Sequence, residues 1–88
     1  MPRADRLYEK AIRTKSGWRL QELLRLYEGF GFVVKEGRKH IVVSHPLHRN
    51  LVTTITRKRT LARGYIDEAV KIIEALQGLE EKGERDGD

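Results

Sequence analysis

The first third of the chain repeats its apolar residues with the period of a helix. An apolar stripe in residues 3–13, made of Leu7, Tyr8, Ala11 and Ile12, predicts a first helix. After a turn-forming break at residues 14–17, a second helix is predicted by Leu20, Leu23, Leu24 and Tyr27. Gly29 and Gly31 are expected to end this helix, because glycine tolerates the left-handed conformation that follows a last turn.

From Phe32 onward the period falls to two, which is typical of strands. Residues 32–35, 39–45 and 51–56 are rich in β-branched residues and predict three strands. A turn containing Gly37 joins the first two strands, and a turn beginning at Pro46 joins the last two. Connections this short predict an antiparallel meander.

A last helix is predicted to open at Gly64, with an apolar face formed by Tyr65, Ala69, Ile72, Ile73 and Leu76. The chain is acidic beyond Gly78 and is expected to be disordered there. The predicted fold class is an α/β two-layer sandwich, a three-stranded antiparallel sheet packed on helices. The predicted organisation is a helical extension (1–17), one domain (18–77) and an acidic tail (78–88).

Charge is distributed unevenly along the chain. The net charge is +5, but residues 78–88 contain five acidic and two basic residues, a net charge of −3, so residues 1–77 carry +8. A small domain with this imbalance attracts polyanions, and nucleic acid is the leading candidate. A basic surface that only confers solubility explains the same charge equally well.

Several classes of protein are excluded or disfavoured by composition. The chain has no cysteine, which rules out disulfides and cysteine metal sites and is compatible with the cytoplasm. No apolar stretch is long enough to cross a membrane. His40 and His45 are expected on opposite faces of one strand, so we predict no metal site and no cofactor. His45 and His48 are predicted to be turn and surface residues.

His40 is the candidate for chemistry, because it lies beside Arg38 and Lys39. A histidine can transfer protons near neutral pH, and cations can hold a phosphate, which is the minimum that RNA cleavage requires. A solvated surface histidine is the simpler alternative. A second basic cluster, formed by Arg57, Lys58, Arg59 and Arg63, precedes the last helix and is either a phosphate contact or an exposed basic linker.

These features together resemble a known family. Leu23-Leu24 on a helix, Gly31-Phe32, a short basic turn, His40, an apolar strand and a basic segment before the last helix are similar to HicA. The similarity covers approximately residues 20–76. It implies an α-β-β-β-α fold like that of double-stranded-RNA-binding domains, here with an extra N-terminal helix. It also implies the toxin of a type II toxin–antitoxin pair, which cleaves mRNA and is neutralised by a HicB antitoxin.

The resemblance implies roles for individual residues. His40 falls at the family's catalytic histidine, and Arg57 matches its basic residue at the end of the third strand. Two positions depart from the family. Arg38-Lys39-His40 stands where Gly-Ser-His is usual, with the glycine displaced to Gly37, and Thr56-Arg57-Lys58 stands where Pro-Arg-His is frequent.

The resulting hypothesis is a metal-independent endoribonuclease, with His40 as the proton-transfer residue. Arg38, Lys39, Arg57 and Lys58 would hold phosphates, assisted by Arg59 and Arg63. RNA and an acidic HicB-like antitoxin are the expected partners. Two alternatives from other classes remain, a non-catalytic RNA-binding module on the same fold and an interaction domain that binds an acidic protein.

Overall fold

The helical periodicity of the first third of the chain changes to alternation at Phe32 and returns to helical periodicity after Gly64. The computed structural model describes the backbone of residues 2–57 and 61–87 and the side chains of residues 5–57 and 61–81. The elements are α1 (Pro2–Arg13), α2 (Leu20–Gly29), β1 (Val33–Glu36), β2 (His40–Ser44), β3 (Val52–Thr56) and α3 (Arg63–Gly87). The predicted mixed α/β fold, with three helices and three strands, is confirmed.

The strands form the predicted antiparallel meander, in the order β1-β2-β3. Val42 of β2 lies opposite Lys35 of β1 and Thr54 of β3. Because successive side chains point to opposite faces of a sheet, the register defines two faces. One face is covered by helices. The other, which we call the open face, carries Val33, Lys35, His40, Val42, Ser44, Val52, Thr54 and Thr56.

The helix-covered face of the sheet forms the core. Its strand residues Ile41, Val43 and Ile55 are at most 1% exposed. The helices complete the core with Ala11, Leu23, Leu26, Tyr27, Ile66, Ala69, Ile73 and Leu76. On the open face, by contrast, Val33 is 54% and Val52 51% exposed. The sheet is therefore buried on one side only, which explains the alternation in β2 and β3.

Helix α1 is part of this core, although the sequence suggested an extension. It packs on α2 and α3 and contributes the fully buried Ala11. The connection to α2 is anchored by Trp18, which is 2% exposed and whose indole N–H donates to the carbonyl of Thr14 at 3.0 Å. Removal of the first helix would expose this apolar surface, so α1 belongs to the folded unit.

Helix α3 continues beyond the point where we predicted a disordered tail. It extends to Gly87, and Gly78 lies inside it. Glycine costs about 1 kcal/mol in a helix interior, but it does not forbid the helix. Leu79, partly buried against the core, and the good helix formers that follow it support the continuation. Helix α3 therefore passes through Gly78 and continues to Gly87, where the sequence predicted a disordered tail.

Gly31 ends the second helix as predicted, and its conformation explains why. It has a φ of +90°, in the left-handed region, whereas Gly29 is the last residue of α2 and has no positive φ. The N–H of Gly31 donates to the carbonyl of Glu28 at 3.0 Å. A Cβ on Gly31 would lie 3.2 Å from Nε2 of His45. Both the backbone conformation and the close approach of this ring favour glycine here.

His45 is buried, which corrects the prediction of a surface histidine. It is 5% exposed and meets the ring of Phe32 edge to face, with centroids 5.0 Å apart. Its Nδ1 accepts the N–H of Leu47 at 3.2 Å, and its ring lies 5.0 Å from that of His48. His45 therefore organises the turn between β2 and β3. The reason is positional, because residue 45 follows Ile41 and Val43 on the helix-covered face.

Glu22 links the first two helices and gives the domain an acid-sensitive contact. Lys10 Nζ donates to its carboxylate at 2.9 Å, and the N–H of Arg19 donates to the same group at 3.1 Å. The hydrogen bond from Lys10 lowers the pKa of Glu22, and the bond from Arg19 lowers it further. A lowered folded-state pKa adds stability above the unfolded-state pKa, and this stability is lost as the pH falls through the folded-state value.

Glu22→Gln is therefore expected to reduce the free energy of unfolding by about 0.2–1 kcal/mol at neutral pH. The difference from wild type should shrink as the pH falls below about 4, because the wild-type carboxylate is then protonated. Urea unfolding followed by the fluorescence of Trp18 measures it. Glu9→Gln, which removes an exposed carboxylate from α1, is the matched control. An equal loss at acidic and neutral pH would show that the ion pair is not the cause.

Candidate nucleic-acid interface

The turn between β1 and β2 presents two basic side chains at one end of the sheet. The N–H of Gly37 donates to the carbonyl of His40 at 2.9 Å, which closes a loop of two residues, Arg38 and Lys39. Both side chains are exposed. The local sequence favours this turn because glycine lies where the backbones approach, and a Cβ on Gly37 would be 3.0 Å from the same carbonyl.

His40 is the first residue of β2 and is exposed on the open face. It lies opposite Thr56, the last residue of β3. The N–H of Arg57 donates to the carbonyl of Lys39 at 3.1 Å, so the neighbouring pair is hydrogen-bonded and the pair of His40 and Thr56 is not. Side chains in such a pair lie close together, with Cα atoms about 4.5 Å apart. Thr56 is therefore the residue directly opposite His40 on the open face.

Arg57 lies on the other side of the sheet end. Its guanidinium is paired with the carboxylate of Glu36, and its Nε donates to the carbonyl of Gly37 at 3.1 Å. Glu36 lies opposite the buried Ile41, so it shares the helix-covered face. Arg57 therefore holds the turn from the helix-covered side of the sheet, whereas His40 projects from the open face. Its direct contact with phosphate stays a prediction.

The beginning of α3 lies at the same end of the sheet as His40. The hydroxyl of Tyr65, in the first turn of α3, accepts the N–H of Thr56 at 3.3 Å. This contact places Arg63, the exposed first residue of α3, beside the end of β3. Arg38, Lys39, His40 and Arg63 are thus gathered at one end of the domain. Lys58 and Arg59 lie outside the described residues.

Charges are segregated between the two faces of the sheet. No acidic residue occurs in the sequence from Gly37 to Ile66, a stretch that contains seven lysines and arginines. Glu36, the one acidic residue in the three strands, belongs to the helix-covered face. The open face and its adjoining turn are therefore positive, which suits a polyanion.

Lys35 is a candidate site residue that was not predicted from the sequence. It is exposed and shares the open face with His40. The signal was present in the alternation of the strand, because residues 35 and 37 face the same way and a two-residue loop pairs residue 37 with residue 40. The predicted basic residues were chosen by their adjacency in sequence, and adjacency does not identify residues on the same face.

The structure gives little support for a metal-ion site or for a ligand pocket at the predicted site residues. Within the described residues, no group of three or more histidine, aspartate or glutamate side chains is arranged to hold a metal ion. An open groove of about 230 Å³ lies between α2 and the edge of β1 and is lined by Gln21, Leu24, Arg25, Glu28, Val34 and Glu36. This groove contains none of the predicted site residues, and its charges are of both signs.

The position of Arg57 leads to a prediction that separates support of the turn from contact with ligand. Arg57→Gln is expected to lower the free energy of unfolding by about 0.2–1 kcal/mol through loss of an exposed ion pair. Arg38→Gln is expected to leave stability unchanged, because no hydrogen bond or ion pair of its side chain occurs within the described residues. Urea unfolding of both variants measures the contrast. Equal stabilities would contradict the bracing role of Arg57.

Comparison with models of protein families, with curated proteins and with solved structures gave no match for this chain. Within the described residues, none of the helices combines the length and apolarity needed to span a bilayer.

Proposed function

We propose that this protein is a HicA-type toxin, a metal-independent endoribonuclease that binds and cleaves mRNA in the cytoplasm. The observation that carries the proposal is the placement of His40. It is exposed on the open face, at the end of the sheet where Arg38 and Lys39 lie, and opposite Thr56, whose N–H donates to Tyr65 in the first turn of α3. In this proposal, α2, the three strands and α3 form the arrangement of a double-stranded-RNA-binding domain, and α1 is an addition to it.

The chemistry proposed for His40 is transfer of a proton. The neutral imidazole takes the proton of a ribose 2′-hydroxyl, whose oxygen then attacks the adjacent phosphorus. The bond from phosphorus to the 5′-oxygen breaks, and the leaving oxygen receives a proton from the imidazolium. The products are a 2′,3′-cyclic phosphate and a 5′-hydroxyl. Arg38 and Lys39 would stabilise the negative charge that develops on the phosphoryl oxygens.

The charge distribution supports a nucleic-acid substrate over a neutral one. Residues 1–77 carry a net charge of +8, and the open face and the turn before His40 contain no acidic residue within the described strands. A polyanion that contacts several of these cations releases counterions, which adds a salt-dependent driving force. The same surface suits an acidic HicB-like antitoxin, which would compete with RNA for it.

A non-catalytic RNA-binding module is the second candidate, and a specific observation favours it. His45 and His48 lie at the other end of β2, around the turn that leads to β3, so neither can assist His40. Among the described residues at the His40 end, histidine chemistry therefore depends on one ring. A binding module would keep the positive face and would not need the ring to transfer protons.

Incubation of the purified protein with RNA in a chelating buffer distinguishes these two candidates. The toxin proposal expects cleavage with EDTA present, cyclic phosphate at the new 3′ ends, and no cleavage of the matched 2′-deoxy oligonucleotide. Induction in cells is expected to arrest growth for the wild type and not for His40→Ala. RNA that stays intact while it is bound would support the binding module, and an absence of RNA binding would exclude both.

A further inference from the structure

The open face of the sheet continues beyond His40, and its next charged residue is Lys35. Lys35 lies opposite Val42, which is two residues from His40 along β2. Two residues of a strand span about 7 Å, so the two side chains occupy successive rows of one face. The lysine side chain is long and flexible enough to reach a phosphate one nucleotide away from the group held at His40.

Lys35 differs from the lysines that have structural partners. Lys10 is 2.9 Å from the carboxylate of Glu22, and Lys15 is 3.8 Å from that of Asp67. Within the part of the chain that is described, Lys35 makes no ion pair, and its neighbour Glu36 is turned to the opposite face and held by Arg57. The ammonium group is thus exposed on a positive face without a neutralising carboxylate.

The remainder of this face favours contact with a nucleic-acid backbone over contact with bases. Its other side chains are valines, threonines and one serine, namely Val33, Val42, Val52, Thr54, Thr56 and Ser44. Apart from the imidazole of His40, no aromatic ring of the described residues projects from it, because Phe32 is buried and the Tyr, Trp and other Phe side chains lie in or beside the helices. Base stacking needs such rings, whereas short hydroxyls and a lysine suit ribose and phosphate.

We propose that the RNA strand runs along the open face from His40 toward Lys35, and that Lys35 binds the phosphate adjacent to the scissile one. This inference rests on the proposed function and adds the path of the substrate to it. A phosphate contact of this kind positions the strand without reading its sequence. Lys35 therefore contributes affinity and register, while the proton transfer remains with His40.

The test compares two lysine variants with the same change of charge. Lys35→Gln removes the proposed contact, and Lys71→Gln removes an exposed lysine from α3, in the helical layer. The probe is a short 2′-O-methyl RNA, which the protein cannot cleave, and its Kd is measured by fluorescence anisotropy over a series of potassium chloride concentrations. Lys35→Gln is expected to weaken binding and to reduce the slope of log K against log salt by about 0.7–1. Lys71→Gln should match the wild type, and Lys35→Arg should restore the slope.

The outcomes separate this inference from the proposed function. Equal slopes for Lys35→Gln and the wild type would overturn the path along the open face and leave His40 catalysis intact. Equal losses in the two glutamine variants would also overturn it, because they would show a general effect of net charge. A wild-type protein that binds no RNA would overturn the proposed function together with the inference. Coincident urea unfolding curves confirm that the variants are folded.

Discussion

Replacement of His40 with alanine is expected to slow RNA cleavage by about 100- to 10,000-fold, the usual contribution of a positioned acid or base. RNA affinity should change little, because Arg38 and Lys39 keep their places in the turn. The loop is closed by backbone atoms of Gly37 and His40, which the substitution retains. Single-turnover cleavage at saturating protein measures the rate, and anisotropy with 2′-O-methyl RNA measures the affinity.

Controls for this prediction use a second histidine, His48, and the cross-strand neighbour Thr56. His48→Ala, which alters a half-buried ring at the far turn, should retain cleavage. Thr56→Val keeps the shape beside His40 and removes the hydroxyl, so a loss of rate at constant affinity would identify Thr56 as a positioning residue. If His40→Ala degraded RNA as fast as the wild type, proton transfer by this residue would be refuted, and contamination by another nuclease would be the next explanation to test.

Gly31→Ala is expected to lower the free energy of unfolding by about 2–5 kcal/mol. A non-glycine residue with φ near +90° costs about 1–3 kcal/mol, because its Cβ crowds the backbone. A Cβ at 3.2 Å from Nε2 of His45 adds about 1–2 kcal/mol, since a buried ring packed against Phe32 must shift to make room. Small domains have only about 5–15 kcal/mol of stability in total, so the loss is a large share.

Variants at two other glycines separate the cost of the backbone conformation from the cost of the contact with His45. Gly17 has a φ of +76°, and no neighbouring atom lies within 4 Å of the position that a Cβ would take, so Gly17→Ala should show the backbone cost alone. Gly78 lies inside α3 and is also uncrowded, so Gly78→Ala should raise the free energy of unfolding by up to about 1 kcal/mol. Urea unfolding followed by Trp18 fluorescence ranks the three variants. Similar losses at Gly31 and Gly17 would show that the contact with His45 is unimportant.

The elements that the sequence predicted well are those whose signal is local. The helical stripes, the alternation after Phe32 and the left-handed glycine at Gly31 depend on neighbours a few residues away, and the structure confirms them. The structure departs from the expectations at two places. The chain beyond Gly78 was predicted to be disordered, whereas α3 continues to Gly87. His45 was predicted on the surface, whereas it is buried against Phe32.

The composition of the site could also be anticipated, but its arrangement could not. His40 and the basic turn beside it were identified from sequence, because Arg38, Lys39 and His40 are adjacent. Arg57 was assigned to the site because it lies in the basic segment before the last helix and matches the family's basic residue at the end of the third strand. The pairing of β3 with β2 places its guanidinium beside Glu36 on the helix-covered side.

By itself, the sequence determined the order of helices and strands, the antiparallel meander and the excess of positive charge. These properties follow from the period of apolar residues, the length of the connections and a count of charges, none of which requires distant contacts. The tertiary structure was needed to fix the strand register, which decides which cations share a face with His40. Strand register places Lys35 there and Arg57 elsewhere, and register is set by which side chains the core buries.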